Sequence, residues 1–167
     1  MNIAYTPDAW QVLFGAVSAA SAALTGLLFV GLSINLKRII GTAEHLGRAR
    51  EVLGQLLSLL VLSMILLVPG QDRPTAGAEL IVLGAIIAGV SVFLHTQTIR
   101  GIARGRRARW AARISIFHVG TLAVPIAGIS LMLGRYGGLY WLVVTILIYF
   151  LWSTINAWTL VVQAVER

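Results

Sequence analysis

Three ionisable side chains stand where this chain could do chemistry: Glu51, His95 and His118. Each interrupts an apolar stretch, and such a group is a functional candidate because taking it out of water is costly. His95 lies about one turn inside Arg100, and His118 about one turn inside Arg113. The two imidazoles are therefore expected at similar depth on neighbouring antiparallel helices, with Glu51 and Gln55 entering from the same side. An imidazole changes charge near neutral pH, so the cluster is a candidate pH-sensing group or proton relay. A glutamate and two histidines can also hold a divalent metal, and two histidines can ligate haem. Against both stand the absence of an HExxH motif, of paired histidines on one helix and of a third strong ligand. Interhelical hydrogen bonding comes first among these readings, and no metal or cofactor is expected.

Polar residues recur at helical spacing in every apolar stretch. The first carries Ser18, Ser21 and Thr25, with Asn35 much later; the second Glu51, Gln55 and Ser58; the third Ser91, His95 and Thr98. The fourth carries His118, Thr121, Pro125 and Gly128, and the fifth Trp152, Asn156, Thr159 and Gln163. One such residue per helix is ordinary interhelical bonding, and Ser and Thr also bond their own backbone. Five aligned stripes could instead line a hydrated path, with Ser18, Ser21, Thr25, Gln55, Ser58, Asn156 and Thr159 as the lining candidates.

The elements that must position these groups are membrane helices. A crossing needs about 20 apolar residues for a hydrocarbon core of about 30 Å, and the chain offers stretches at residues 10–36, 46–68, 78–99, 110–133 and 139–162. Pro69-Gly70-Gln71-Asp72-Arg73-Pro74 and Gly134-Arg135-Tyr136-Gly137-Gly138 are the clearest breaks. The expected fold is all-α, a single polytopic bundle of five transmembrane spans, with Pro125 a kink within the fourth. Eleven of the thirteen Lys and Arg residues fall in alternate gaps: Lys37, Arg38, Arg48 and Arg50; then Arg100, Arg104, Arg106, Arg107, Arg109 and Arg113; then Arg167. Basic loops stay on the cytoplasmic side, which places the N-terminus outside and the C-terminus in the cytoplasm of a bacterial inner membrane. Residues 1–10 lack Lys and Arg, so no cleaved signal is expected. Tyr5, Trp10, Tyr136, Tyr140 and Trp141 are expected at the outer headgroup level and Trp110 at the inner one.

Composition agrees. The chain is 58% hydrophobic and 11% charged with a mean hydropathy of +0.88, against about 45–50% apolar and about 25% charged in soluble domains. The net charge of +7 would suggest nucleic acid in a soluble protein, but topology accounts for it here. The arginine loop from Arg100 to Arg113 is expected to touch anionic lipid, at roughly 1 kcal/mol per basic residue. With no cysteine, disulfides, thiolate metal sites and Cys nucleophiles are excluded. Small-residue pairs, at Gly15, Ala19, Ala22, Ala23 and Gly26 and at Gly84, Ala88 and Ala85, Gly89, allow close helix approach within the bundle or between protomers.

The run from Ser21 to Leu36, SAALTGLLFVGLSINL, preceded by Trp10 and followed by Pro69-Gly70-Gln71 and Gly77-Ala78-Glu79-Leu80, resembles a family of small actinobacterial multi-span membrane proteins often labelled modulators of the FtsH protease. The resemblance covers most of the chain and implies an accessory role beside a membrane protease. It transfers no functional residue, and the fifth stretch has no acid before Glu166. Without a catalytic motif the chain is expected not to be an enzyme. A homo-oligomeric channel for small ions is the first expectation, and a non-enzymatic subunit of another membrane complex the alternative.

Overall fold

The computed structural model describes residues 3–34 and 36–165, and their side chains except at 37, 38, 106, 109, 111–113, 116 and 161–165. Among the described residues every regular element is helical. Two 3-10 turns, Ile3–Tyr5 and Pro7–Trp10, lead into α1 (Gln11–Ile34), then short α2 (Leu36–Ile40), α3 (Ala43–Leu66), α4 (Arg73–Gly101), α5 (Arg104–Leu133) and α6 (Tyr140–Val165). Helices rather than strands form because a segment surrounded by lipid must satisfy its backbone hydrogen bonds internally.

Four of the five long helices, those built on α1, α3, α4 and α6, are long and apolar enough to cross a membrane. The fifth differs from expectation. The apolar part of α5 is confined to Phe117–Leu133, because its first turns carry Arg104, Arg106, Arg107, Arg109 and Arg113. The expected arginine loop is thus mostly helix: Arg100 closes α4, and only Ile102 and Ala103 connect it to α5. α5 runs unbroken through Pro125.

The Pro69–Pro74 break is shorter than its composition suggests. Asp72 caps α4, its Oδ1 accepting from Thr75 N–H at 3.3 Å, and Pro74 sits in the first turn, where its missing donor costs nothing. Gly134, at φ 62°, ends α5 in the left-handed region.

α4 and α5 form the closest pair in the bundle. A Cβ at Gly84 would come 2.6 Å from Pro125 Cδ, and one at Gly128 2.5 Å from the Gly77 carbonyl oxygen. Here small residues let backbones touch, which is how helices associate where lipid offers no hydrophobic drive. α1 packs chiefly on α3, and α6 closes the bundle against α3 and α5.

Two of the expected headgroup aromatics are instead structural. Tyr5 and Trp10 are buried. Trp10 donates Nε1–H to Ile3 O at 2.8 Å and meets the Tyr140 ring edge-on at 4.8 Å, while the Tyr5 hydroxyl accepts from Gly137 N–H at 3.1 Å. Leu139 N–H donates to Ala4 O at 2.8 Å. Gly138, at φ 54°, leaves no room for a Cβ against the Ala4 carbonyl, so the glycine turn and the N-terminal segment form one cap. Tyr136, Tyr140 and Trp141 remain exposed, and Trp110 is buried with Ile102 and Ile114.

Candidate functional site

α3 enters the bundle at Ala43 with Thr42 as its cap, and its third and fourth turns present Glu51 and Gln55 inward. Both are buried. Glu51 Oε1 accepts from Trp152 Nε1–H at 2.9 Å, and Gln55 Oε1 accepts from Ser153 Oγ–H at 2.6 Å. Residues four apart on α3 therefore meet adjacent residues on α6, and two polar links fix the register of these helices.

His95 on α4 is buried, 8% exposed. Its ring stands edge-on to His118 and to Phe117, each at 5.4 Å between centroids. Phe117 stacks on Tyr149 at 5.2 Å with the planes 4° apart, and Tyr149 shares a 2.7 Å hydrogen bond with Thr121. Thr145 Oγ–H donates to Gly120 O at 2.8 Å. The histidines thus begin an aromatic ladder from α4 through α5 to α6. The two imidazoles meet as expected at one depth, but they pack edge to face rather than converging on a common point.

Beside these groups a groove of about 190 Å³ opens between α3 and α4. Arg50, Glu51, His95 and Thr98 line its end toward the arginine-bearing helix termini, and Ser58, Ile86 and Val90 the opposite end. Phe117 of α5 also lines it. No cluster of three or more His, Asp and Glu capable of holding a metal occurs among the described residues. The groove's mixture of a few polar groups and a longer apolar wall is that of a binding surface.

The other stripe residues separate by surroundings. Ser21 and Thr25 lie on the narrow buried strip of α1, with Phe14 and Val17, against α3. Thr25 donates to Ser21 O at 2.7 Å. A path shared between copies needs these hydroxyls on the outside of the bundle, and the fold turns them inward. Ser18 is half-buried. Ser58 and Thr159 donate to carbonyls in their own helices, Gly54 O at 2.6 Å and Ile155 O at 2.7 Å, and Asn156 is buried. Arg100 and Arg104 are exposed, while Arg107 Nε–H donates to Ile102 O at 3.0 Å across the α4–α5 turn. Asn35 and the side chains of Arg106, Arg109, Arg113 and Gln163 lie outside the described residues. No family model matches this chain, and neither the curated proteins nor the solved structures contain a match.

Several residues of this region escape a reading by stripes: Arg50, Phe117, Tyr149 and Ser153. Extending the fifth stripe backward would have found two of them, since Thr145, Tyr149, Ser153 and Asn156 recur at helical spacing and all are buried.

The small-residue pairs also divide. Gly84 faces inward onto Pro125, whereas Ala85 and Gly89 are exposed. On α1, Ala19, Ala22, Ala23 and Gly26 are all exposed, and a Cβ at Gly26 would meet nothing within 4 Å. The spanning window of α1 is 22% buried, against 50% for α3.

Proposed function

We propose that this protein is a non-enzymatic integral membrane subunit that assembles with another transmembrane helix through α1. The observation carrying this reading is the outward face of α1, where Ala19, Ala22, Ala23 and Gly26 have no internal neighbours to accommodate. A glycine in a helix interior costs about 0.5–1 kcal/mol relative to alanine, and no intramolecular contact at Gly26 offsets that. Small-xxx-small faces allow close helix contact in lipid, and α1 has such a face free.

In this reading α5 crosses as a fifth span, since about 17 residues is the short end of the spanning range and α4 and α6 flank it. The arginine-bearing end is cytoplasmic by the positive-inside rule, with the N-terminal cap outside, in a bacterial inner membrane. The resemblance to modulators of a membrane protease fits a subunit of this kind. A homo-oligomeric channel finds less support, because Ser21 and Thr25 point into the bundle.

The test is the size of the particle purified in mild detergent. Wild type is expected as a discrete homo-oligomer or hetero-complex by native mass spectrometry. Ala22→Leu with Gly26→Leu should release single chains of unchanged helical content. A wild-type chain that is monomeric and partnerless in both detergent and nanodiscs defeats the proposal.

A further inference from the structure

The groove between α3 and α4 is independent of the α1 face. The geometry points to an acyl-chain site in this groove for a phospholipid with an anionic headgroup, the head lying beside Arg50. Three observations converge on that occupant.

First, the groove opens on the flank of the bundle between two helices of membrane-crossing length and apolarity. Arg50, Gly54, Ile86 and Val90 on its walls are exposed, so its surroundings there are lipid rather than water. Second, its polarity runs in one direction. From Thr98 to Ile86 along α4 is ~18 Å at ~1.5 Å per residue, close to the ~15 Å of one hydrocarbon leaflet. The ionisable groups Arg50, Glu51 and His95 occupy the end near the arginine-bearing termini, while Ile86, Ile87 and Val90 dominate the deep end, where the Ser58 hydroxyl is bonded to its own helix at Gly54 O. That is the gradient of a lipid with its head at the interface and a chain below. At about 190 Å³ the cavity falls below the ~300 Å³ at which sites for folded small molecules begin, and a narrow chain suits it better.

Third, an exposed cation stands at the mouth. Glu51 also lines this end of the groove, but it is buried and its Oε1 accepts from Trp152 across the α3–α6 interface. Its neighbour Arg50 is exposed on the groove side. A cation at the mouth favours an anionic head over a zwitterionic one. Gly54 keeps the wall low at mid-groove, since a Cβ there would meet nothing within 4 Å.

The experiment is native mass spectrometry of the full chain, delipidated in detergent and then given phosphatidylglycerol or phosphatidylcholine of identical acyl composition. Wild type is expected to retain one phosphatidylglycerol in preference to phosphatidylcholine. Gly54→Phe should abolish retention of both, and Arg50→Gln should reduce the phosphatidylglycerol preference about fivefold, the equivalent of one interfacial cation. Val90→Trp blocks from the opposite wall and serves if Gly54→Phe loses its helical content or monodispersity. Equal retention by wild type and a folded blocking variant would overturn the site. So would a preference lost in Arg104→Gln/Arg107→Gln but kept in Arg50→Gln, which would mean annular lipid on α5. A dimer that Gly54→Phe dissociates without changing lipid retention would assign the groove to a second copy and equally overturn it.

Discussion

The two halves of the bundle are built differently. Toward the N-terminal cap, one continuous core joins Tyr5, Trp10, Phe14, Leu62, Leu80, Leu131, Leu142 and Tyr149. Toward the arginine-bearing termini that core ends, and two small clusters replace it, Ile39 with Ala49 and Leu160, and Ile102 with Trp110 and Ile114. Both cavities lie in this second half: the α3–α4 groove and a space of about 220 Å³ among α1, α3 and α6, lined by Leu28, Gly31, Val52 and Leu160. Glycines divide less cleanly: a Cβ at Gly77, Gly84 or Gly128 would strike a neighbour, as would one at Gly47 or Gly101 in the second half, whereas one at Gly26, Gly31 or Gly54 would meet nothing within 4 Å. The continuous apolar core lies in one half and these two cavities in the other.

Substitutions at glycine should break that contrast most clearly. Gly128→Leu drives a side chain into the Gly77 carbonyl and Ile81 and is expected to cost about 3 kcal/mol, the upper end for overpacking, read as a lowered thermal midpoint in detergent. Gly138→Ala should follow at about 2 kcal/mol, from the left-handed backbone and the blocked Ala4 carbonyl.

Polar links in the open half sharpen the comparison. Trp152→Phe combined with Glu51→Leu in a double-mutant cycle should show a coupling of about 1 kcal/mol, within the range for interhelical hydrogen bonds in membranes. A coupling near zero would mean that this bond does not tie α3 to α6. Tyr149→Phe removes the link to Thr121 and should cost about 0.6 kcal/mol, measured the same way. Gly54→Ala should raise stability by about 0.5–1 kcal/mol, because its new methyl enters open space. A large loss there would show that the groove is closed in the folded protein.

Much of the fold was legible because lipid imposes simple arithmetic. The stretches marked the position of each of the five long helices, though only four have the length and apolarity of a span, and Pro125 was correctly left inside one. Less was legible where a residue serves two purposes. Tyr5 and Trp10 have belt chemistry, yet the cap they build depends on the Gly138 turn, more than a hundred positions away. The arginine segment has loop composition, but it is helical because between Arg104 and Arg113 only Gly105 disfavours a helix, and it lies in the first turn. His95 and His118 were paired from their depths alone. Nothing in their spacing showed that Phe117 would stand between them and Tyr149, since an aromatic in a helix interior has several rotamers and several neighbours to choose among.

By itself the chain determined that it is helical, that most of its long helices suit a bilayer, and that eleven of its thirteen cations fall in alternate gaps. These follow from residue types and their order, through transfer free energies that act locally. Which face of each helix looks inward was decided only in the packed bundle. Ser21 and Gly26 lie on the same apolar helix, and helix–helix contact alone turned one toward α3 and the other outward. The physical reason is that in lipid both faces of such a helix are soluble, so orientation is set by close packing and a few interhelical hydrogen bonds, which belong to pairs of helices and not to either sequence alone.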